Sequence, residues 1–386
     1  MNPIAIIGAG PAGLSTAIKL REEGFDSIVY EEHEKIGYPE HCSGLISKKG
    51  IDELRLNLGD SLQNTIYGAK IYSPNGTMLK VQKKHPVAYV VNRAEFDSML
   101  LRKARLLGIH VSTHTKLIDA RKSINGNEKT LFIQVDGRGE MRKTNYIIGS
   151  DGVNSTVRHL MGINTEKEKL IHTIQATCTG EFDERYVEVH FGDYAKGFFA
   201  WVVPISKDKA KIGLGNILGE NISENFKEFL KTKYPSVHVK EKVSALIPYG
   251  EPLKELVKDN FVLVGDAAFQ TKATTGGGVI FGMKAGNILG EVIANMMKKK
   301  GNLKDYEKKL TTINKELQLH WKIRKYINSL SNEEMDKLFL KLKEKNIEHF
   351  LEEHGDMDQP SKFIGKLMSN PKYWTLFGTA MKFLRT

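Results

Sequence analysis

The beginning of the chain alternates between short apolar runs and a helical pattern. Residues Ile4–Ile7 are four consecutive apolar residues, which is typical of a strand buried on both faces. A glycine-rich turn follows, and a helix is then expected to end near Gly24. A second apolar run, Ser27–Tyr30, comes next. The pattern therefore predicts a strand–helix–strand unit, and the apolar face of its helix consists of Leu14, Ala17, Ile18 and Leu20.

Two later blocks of the chain, residues 69–91 and about 171–243, are predicted to form short strands. The second block is interrupted by one helix near 224–233. A helix at 92–104 separates the blocks, and strands at 109–112, 131–135 and 146–148 follow it. The apolar run 260–264 predicts a return to the first sheet, and a long helix begins at Val279. The strands expected within the two blocks are at 69–73, 78–81, 88–91, 186–191, 198–203 and 211–216.

Three glycines, Gly8, Gly10 and Gly13, follow the first strand at the G-x-G-x-x-G spacing. Gly8 permits the tight turn, Gly10 lets a pyrophosphate approach the backbone, and Gly13 lets the helix lie close to the strand. The second strand ends in Glu31, whose carboxylate can accept both hydroxyl protons of an adenosine ribose. The ordered strand, helix, strand and acid favour a dinucleotide site over a fortuitous glycine turn.

Two further strand ends close in a glycine and aspartate pair, Asp151-Gly152 and Gly265-Asp266. Carboxylates at the carboxyl ends of sheet strands point into the crevice where such folds bind ligands, although either aspartate could instead cap a loop. Gly276, Gly277 and Gly278 then open a long helix, whose positive end suits an electron-rich, anionic ring such as a reduced flavin. FAD is therefore favoured over NAD as the resident cofactor.

These elements predict an α/β (α+β) fold in which a Rossmann-like FAD-binding domain is interrupted by an antiparallel β-sheet substrate domain. A helical region follows at the C-terminus. The expected boundaries are 1–68, 92–170 and 255–300 for the FAD-binding domain, 69–91 and 171–254 for the β-sheet domain, and 301–386 for the helical region.

The composition narrows the class of protein. The chain has 386 residues, of which 40% are hydrophobic and 27% charged, as is ordinary for a soluble globular protein. No run of about 18 apolar residues is present, so neither a membrane span nor a signal peptide is expected. The two cysteines, Cys42 and Cys178, fit a reducing compartment. We therefore expect a cytoplasmic protein, and the sequence predicts no metal site.

Positive charge is concentrated near the C-terminus. The chain carries a net charge of +11. Residues 298–386 contain 19 lysines and arginines against 12 aspartates and glutamates, a net charge of +7. Such a region suits anionic lipid headgroups, an acidic protein or nucleic acid, and the alternative is a simple solvated surface. We expect no nucleic-acid partner.

Candidate chemistry beyond the cofactor loops lies in two places. Cys42 falls in the turn-rich loop 37–47, so it is a candidate reactive group, although single cysteines are often small buried hydrophobes. The aromatic run containing Phe199 and Trp201 could line a substrate site or simply pack in a β-sheet core.

The motifs together resemble the FAD-binding pattern of the aromatic-hydroxylase flavoprotein superfamily, and within it the geranylgeranyl reductases of archaeal lipid synthesis. The narrower resemblance lies in residues 39–44, 199–204 and 265–278, and it covers about the first 300 residues. The chain departs from the family pattern at Ala273, where the flavin loop usually has proline, and at Phe199 and Val203 in the substrate motif. The resemblance to the FAD-binding pattern is retained despite these departures.

The resemblance implies an FAD-dependent reductase that saturates carbon–carbon double bonds of a geranylgeranyl chain. Reduced flavin would deliver a hydride to one alkene carbon while an acid protonates the other. Catalytic roles are expected for Cys42, Trp201 and Phe199. Contact with FAD is expected for Gly8, Gly10, Ala12, Gly13, Glu31, Cys42, Arg93, Asp151, Gly265, Asp266, Gly276, Gly277 and Gly278.

Several alternatives remain open at this point. The same fold suits a flavin-dependent monooxygenase acting on an aromatic or prenylated quinone, or a non-catalytic module that binds a lipid or protein and retains FAD for structure. The sequence contains no second nucleotide-binding unit, so the electron donor is either NADPH or a ferredoxin.

The last residues of the chain predict either an interfacial amphipathic helix or a helix that caps the core. The first alternative would give the protein a peripheral contact at the cytoplasmic face of a membrane. The residues of this predicted helix are Tyr373, Trp374, Leu376, Phe377, Ala380, Met381 and Phe383, with Lys372, Lys382 and Arg385.

Overall fold

The computed structural model of the chain describes residues 4–122 and 129–376. The strands are β1 (Ile4–Ile7), β2 (Ser27–Tyr30), β3 (Leu45–Ser47), β4 (Leu62–Ile66), β5 (Gly68–Tyr72), β6 (Met78–Gln82), β7 (Ala88–Val91), β8 (His110–Ser112), β9 (Thr115–Lys122), β10 (Lys129–Val135), β11 (Arg138–Thr144), β12 (Ile147–Gly149), β13 (Leu170–Thr179), β14 (Tyr186–His190), β15 (Ala200–Pro204), β16 (Lys209–Ile217), β17 (His238–Pro248), β18 (Val257–Lys258) and β19 (Phe261–Leu263).

Helices connect and cover these strands. The α-helices are α1 (Pro11–Glu22), α2 (Lys48–Glu53), α3 (Arg93–Leu106), α4 (Thr156–Leu160), α5 (Ile222–Lys233), α6 (Val279–Met297), α7 (Asp305–Lys309), α8 (Thr311–Asn328), α9 (Asn332–Glu344), α10 (Ile347–His354) and α11 (Pro360–Met368). Short 3-10 helices lie at Gly59–Ser61, Lys167–Lys169, Asp193–Ala195, Gly265–Ala268 and Pro371–Leu376.

A six-stranded sheet carries the N-terminal unit, in the order β18-β19-β12-β1-β2-β8. All its pairings are parallel except that of β18 with β19. β1 lies at its centre and is buried along its whole length, as the apolar run predicts. The predicted return of 260–264 to this sheet is β19, which pairs with β12. The carboxyl ends of β1, β2, β12 and β19 therefore meet at one edge of the sheet.

Helices α1 and α6 lie close together beside this sheet because α6 presents glycines to α1. A Cβ atom at Gly286 would lie 2.5 Å from the carbonyl oxygen of Ala12 and 2.9 Å from Oγ1 of Thr16. A Cβ atom at Gly290 would lie 3.0 Å from the carbonyl oxygen of Thr16. This close approach brings the start of α6 next to the start of α1.

A seven-stranded sheet has the order β17-β13-β16-β15-β14-β5-β6 and is antiparallel except for β14 with β5. One face is covered by α5, whose Phe226 and Phe229 are buried against it. Trp201, Gly213 and Gln175 are register partners across β15, β16 and β13, so they share the other face. This second face carries the candidate substrate residues.

The remaining strands form two three-stranded sheets, β3-β7-β4 and β11-β10-β9. The strands predicted between residues 69 and 91 are all present, but β7 pairs with β3 and β4 rather than with β5 or β6. The predicted α/β fold class, with its Rossmann-like sheet, its largely antiparallel second sheet and its C-terminal helices, is confirmed. The division of the chain into domains stays a prediction.

Helices α9 and α10 cover the edge of the seven-stranded sheet. Glu348 and Glu352 of α10 accept hydrogen bonds from the backbone N–H groups of Lys80 (2.7 Å) and Gln82 (3.3 Å) on β6, the last strand of that sheet. A small apolar core joins the two parts and consists of Leu79, Met335, Phe339, Ile347, Phe350, Leu367 and Tyr373.

The predicted interfacial helix is only partly within the described chain. Pro371–Leu376 forms a 3-10 helix, and residues 377–386 lie outside the described residues. Tyr373 is buried, with its ring 4.9 Å from that of Phe350, so this residue packs on the core, as the second alternative expects. Across 4–122 and 129–376, every helix is too short or too polar to cross a bilayer.

Candidate active site

The three glycines of the first turn occupy three different environments. Gly8 has a positive φ of 99°, and a Cβ atom there would lie 2.3 Å from the carbonyl oxygen of Ser150. A Cβ atom at Gly13 would lie 2.1 Å from the carbonyl oxygen of Gly8, so α1 starts in contact with the turn. Gly10, in contrast, has nothing within 4 Å of its added Cβ. Gly8 and Gly13 thus shape the turn, and Gly10 leaves an open space beside it.

The carboxylate of Glu31 closes one side of this turn. Its Oε2 accepts a hydrogen bond from the backbone N–H of Ala9 at 2.8 Å, and its Oε1 accepts one from the backbone N–H of His33 at 3.0 Å. The carboxylate is thus fixed at the end of β2, beside the open space at Gly10. Carboxylate oxygens have further lone pairs with which they can accept hydroxyl protons.

The two aspartates at strand ends differ in their partners. Asp151 accepts hydrogen bonds from Oγ of Ser155, the N-cap residue of α4, at 2.5 Å and from the backbone N–H of Val157 in the first turn of α4 at 3.0 Å. Burial raises the pKa of this carboxyl group. Asp266 accepts one hydrogen bond from Oγ1 of Thr271 at 3.1 Å. Direct contact of either aspartate with a cofactor stays a prediction.

The segment 265–278, which we call the flavin loop, lies across the start of α1. A Cβ atom at Gly265, where φ is +71°, would lie 2.8 Å from Cβ of Ala12. Ala12, in the first turn of α1, therefore packs against the flavin loop. Helix α6 begins directly after Gly278, and the first N–H groups of an α-helix have no intrahelical acceptor. The flavin loop thus directs unpaired donors and a positive helix end toward the same edge as Gly10 and Glu31.

Cys42 lies in a loop that is fastened to the seven-stranded sheet. Its carbonyl oxygen accepts hydrogen bonds from Nζ of Lys211 (3.1 Å) and Nε2 of Gln175 (3.4 Å). Oε1 of Gln175 in turn accepts a hydrogen bond from Nε1 of Trp201 at 3.1 Å. Lys211 is also paired with Glu40 at 2.5 Å. Gln175 thereby connects Cys42 with Trp201, two of the residues predicted to be catalytic.

Arg93, the first residue of α3, contacts the cysteine loop. Its guanidinium donates to both carboxylate oxygens of Asp97 at 3.0 Å, and it interacts with the thiol sulfur of Cys42. Burial alone would lower the pKa of Arg93, but the Asp97 carboxylate and the Cys42 sulfur raise it. Burial raises the pKa of Asp266. The hydroxyl of Thr271 and the charge of Arg93 act in the opposite direction on this pKa. Arg93 therefore lies between the cysteine loop and the flavin loop.

Aromatic side chains form a wall beside these loops. The rings of Phe198 and Phe199 are stacked with centroids 4.1 Å apart, and Phe199 meets Trp201 edge to face at 5.9 Å. The indole of Trp201 lies over Gly213, where a Cβ atom would come within 2.5 Å of it. Phe198 reaches the flavin loop, since a Cβ atom at Gly276 would lie 3.2 Å from its ring. The apolar wall and the cofactor loop are therefore in direct contact.

Sequence reasoning missed Gln175, Lys211 and Asp97. Gln175 and Lys211 are buried polar residues in strands whose other inward-facing positions are mainly small or apolar. Such an interruption of the apolar pattern was the available signal, because a buried lysine or amide needs a partner. Asp97 lies four residues after Arg93 on α3, a spacing that favours an ion pair.

The site fits the three parts of FAD. The open space at Gly10 suits the pyrophosphate, the fixed carboxylate of Glu31 suits the ribose, and the start of α6 suits the ring. The site thus defines a flavin-type dinucleotide-binding protein. A family model described as "FAD binding domain" matches residues 1–318, and FAD is the cofactor of the chain.

Similar proteins narrow this class. An uncharacterized protein of Methanocaldococcus jannaschii is 31% identical over 95% of both chains. Digeranylgeranylglycerophospholipid reductase 1 of Methanococcoides burtonii is 30% identical over 88% of this chain and 87% of its own. A geranylgeranyl bacteriochlorophyll reductase-like protein of Thermoplasma acidophilum has the same fold, with a TM-score of 0.86, 19% identity and 99% of each chain covered. The chain belongs to the FAD-binding family that includes the archaeal digeranylgeranylglycerophospholipid reductases.

Replacing Glu31 with alanine should weaken FAD binding by about 1.5–3 kcal/mol, because a charge-assisted hydrogen bond to the ribose would be lost. Glu32→Ala is the matched control, since Glu32 is the next carboxylate and is exposed. The FAD dissociation constant of each purified variant, measured by the recovery of flavin fluorescence on dilution, checks this. Equal FAD dissociation constants for Glu31→Ala and the wild type would show that Glu31 does not bind FAD.

Proposed function

We propose that the protein is an FAD-dependent reductase that saturates the carbon–carbon double bonds of geranylgeranyl chains in archaeal membrane lipid biosynthesis. The observation that carries this proposal is the link from Cys42 through Gln175 to Trp201, beside the flavin loop. It joins the backbone of the loop that carries Cys42 to the indole of Trp201, and the neighbouring Phe198 contacts the flavin loop at Gly276. The names of the archaeal relatives support the same reaction.

Bound FAD supplies the hydride for such a reaction once it is reduced. The protein must then orient an alkene, which has no polar group that could accept or donate a hydrogen bond. The wall of Phe198, Phe199 and Trp201 suits this task because its aromatic surface excludes water and contacts a prenyl chain along its length. The second alkene carbon needs a proton, and the thiol of Cys42 is the candidate donor.

A flavin-dependent monooxygenase is the second candidate, since its fold would be the same. The two reactions differ in their need for oxygen. We expect the reduced protein to be reoxidised by a geranylgeranyl lipid without oxygen, and to form no hydroxylated product when oxygen is admitted. Turnover that requires oxygen would favour the monooxygenase, and no reoxidation by any prenyl lipid would favour a non-catalytic binding protein.

The electron donor is proposed to be a ferredoxin or NADPH, each used transiently at the edge of the flavin. The two donors can be distinguished by mixing each of them with the oxidised protein without oxygen. The loss of the oxidised flavin absorbance then measures flavin reduction. Reduction by NADPH alone within the time of one turnover would make a ferredoxin unnecessary.

We further propose a peripheral contact with anionic membranes through the basic C-terminal region. Residues 377–386 contain Lys382 and Arg385 together with Phe377, Met381 and Phe383, which is a combination suited to the interface. Tyr373 is part of the core, so a truncation should begin after residue 376.

Removal of residues 377–386 should abolish flotation with liposomes that contain anionic phospholipid, and high salt should weaken flotation of the full chain. Neutral liposomes provide the control, because they lack the headgroup charge. Equal flotation of the truncated and full-length proteins would end this proposal.

A further inference from the structure

Helix α8 carries an arginine that is buried against the flavin loop. Arg324 is only 1% exposed. Its Nε donates to the carbonyl oxygen of Ala273 at 3.0 Å, and its Nη2 donates to that of Thr274 at 2.7 Å. Its Nη1 donates to the carbonyl oxygen of Phe198 at 3.3 Å. One side chain thus ties the flavin loop to the first residue of the aromatic wall.

The charge of Arg324 is compensated by dipoles and aromatic faces. Its guanidinium lies 5.0 Å from the ring centroid of Phe198 and 5.5 Å from that of Phe199. No carboxylate within residues 4–122 and 129–376 forms an ion pair with it. Burial lowers the pKa of Arg324 to about 10, so it remains protonated at neutral pH. Because a buried charge is costly unless its hydrogen bonds are made, these contacts restrict where the loop can lie.

The same short segment has two more restraints from the C-terminal helices. Nδ1 of His320, one turn before Arg324 on α8, lies 2.6 Å from Oγ1 of Thr274. Burial lowers the pKa of His320 to about 3, and the nearby ammonium of Lys272 acts in the same direction, so the ring is neutral. Lys272 itself pairs with Asp358 at 2.6 Å, and both side chains are buried. Residues 272–274 are therefore held by side chains from far along the chain.

We propose that Arg324 is a positioning residue that fixes the backbone of the flavin loop at residues 273 and 274. A proline would restrict the backbone there through its ring. In this chain Ala273 leaves the backbone free, and the guanidinium restrains it instead through the carbonyl groups of Ala273 and Thr274. By also holding Phe198, Arg324 sets the aromatic wall relative to the loop. The proposal rests on the assignment of residues 265–278 to the flavin, but not on the identity of the lipid.

The test is the FAD dissociation constant of Arg324→Gln, with Lys325→Gln as the matched control. Lys325 is the next residue on α8 and is exposed. Loss of the charge-assisted hydrogen bonds should weaken FAD about tenfold in Arg324→Gln and leave Lys325→Gln unchanged. Arg324→Lys keeps the charge but lacks the planar fork, so it should fall between the two.

The decisive variant adds Ala273→Pro to Arg324→Gln. Among the described residues the backbone N–H of Ala273 donates no hydrogen bond, so proline removes none. The double variant should regain most of the FAD affinity, a rescue that a purely structural role for Arg324 would not give. A lower melting temperature with unchanged FAD affinity in Arg324→Gln and Arg324→Lys would overturn the proposal, as would failure of the proline to restore affinity. Because the readout needs no lipid, the result does not depend on whether the reductase activity is found.

Discussion

Replacing Cys42 with serine should slow the reoxidation of reduced flavin by a geranylgeranyl lipid by about 10²-fold, the usual contribution of a general acid. Serine keeps the size and a proton but is a far weaker acid than a thiol, so protonation of the alkene carbon becomes harder. FAD content and melting temperature should stay close to those of the wild type. Anaerobic stopped-flow absorbance of the pre-reduced variant measures the rate.

The second cysteine provides a matched control. Cys178 lies in β13 among apolar side chains, and burial raises the pKa of its thiol to about 11. Cys178→Ser should lower stability because it buries a hydroxyl group, while the folded fraction reoxidises at the wild-type rate. If Cys42→Ser also reacts at the wild-type rate, Cys42 is a packing residue and the proton comes from water or another side chain.

The variants Gly10→Ala and Gly13→Ala should be impaired for different reasons. Gly10→Ala should fold but lose FAD, and Gly13→Ala should have a less stable fold. Gly10 has open space at its Cβ position and an ordinary φ of −69°, so Gly10→Ala should fold normally. Its methyl group would occupy the space that the pyrophosphate approaches, and FAD should be lost on purification. Gly13→Ala places a methyl group 2.1 Å from the carbonyl oxygen of Gly8, so the fold itself should be destabilised by about 1–3 kcal/mol or more.

Thermal unfolding and the ratio of flavin to protein absorbance, measured on both variants, separate these outcomes. Retention of FAD by Gly10→Ala would contradict the placement of the pyrophosphate. A normal melting temperature for Gly13→Ala would contradict the close packing of α1 on the turn.

Local patterns in the sequence predicted the parts of the structure that depend on neighbouring residues. The β1–α1–β2 unit, its glycines and the strand at β19 all follow from apolar runs and turn residues within short stretches. The long helix α6 was predicted from the three glycines and the apolar residues after them. These features need no knowledge of distant contacts, and the structure confirms them.

Contacts between distant segments could not be predicted in this way. Gln175 and Lys211 each form a hydrogen bond with Cys42, although more than a hundred residues separate them from it in the sequence. No feature of their own strands indicates this partner. Arg324 lies in a charged helical region where a buried arginine looks like any exposed one. The sequence left the environment of Tyr373 open for a related reason, because an apolar residue near a terminus suits a lipid surface and a protein core equally well.

The central claim is that the chain reduces an isolated alkene with electrons from its own FAD. The most direct measurement is mass spectrometry of a geranylgeranylated glycerophospholipid after one anaerobic turnover with the pre-reduced holoprotein. We predict a product that is heavier by two hydrogens, formed in proportion to the flavin that is reoxidised. An unchanged lipid with the flavin still reduced, or a product that carries an added oxygen once air is admitted, would contradict the account.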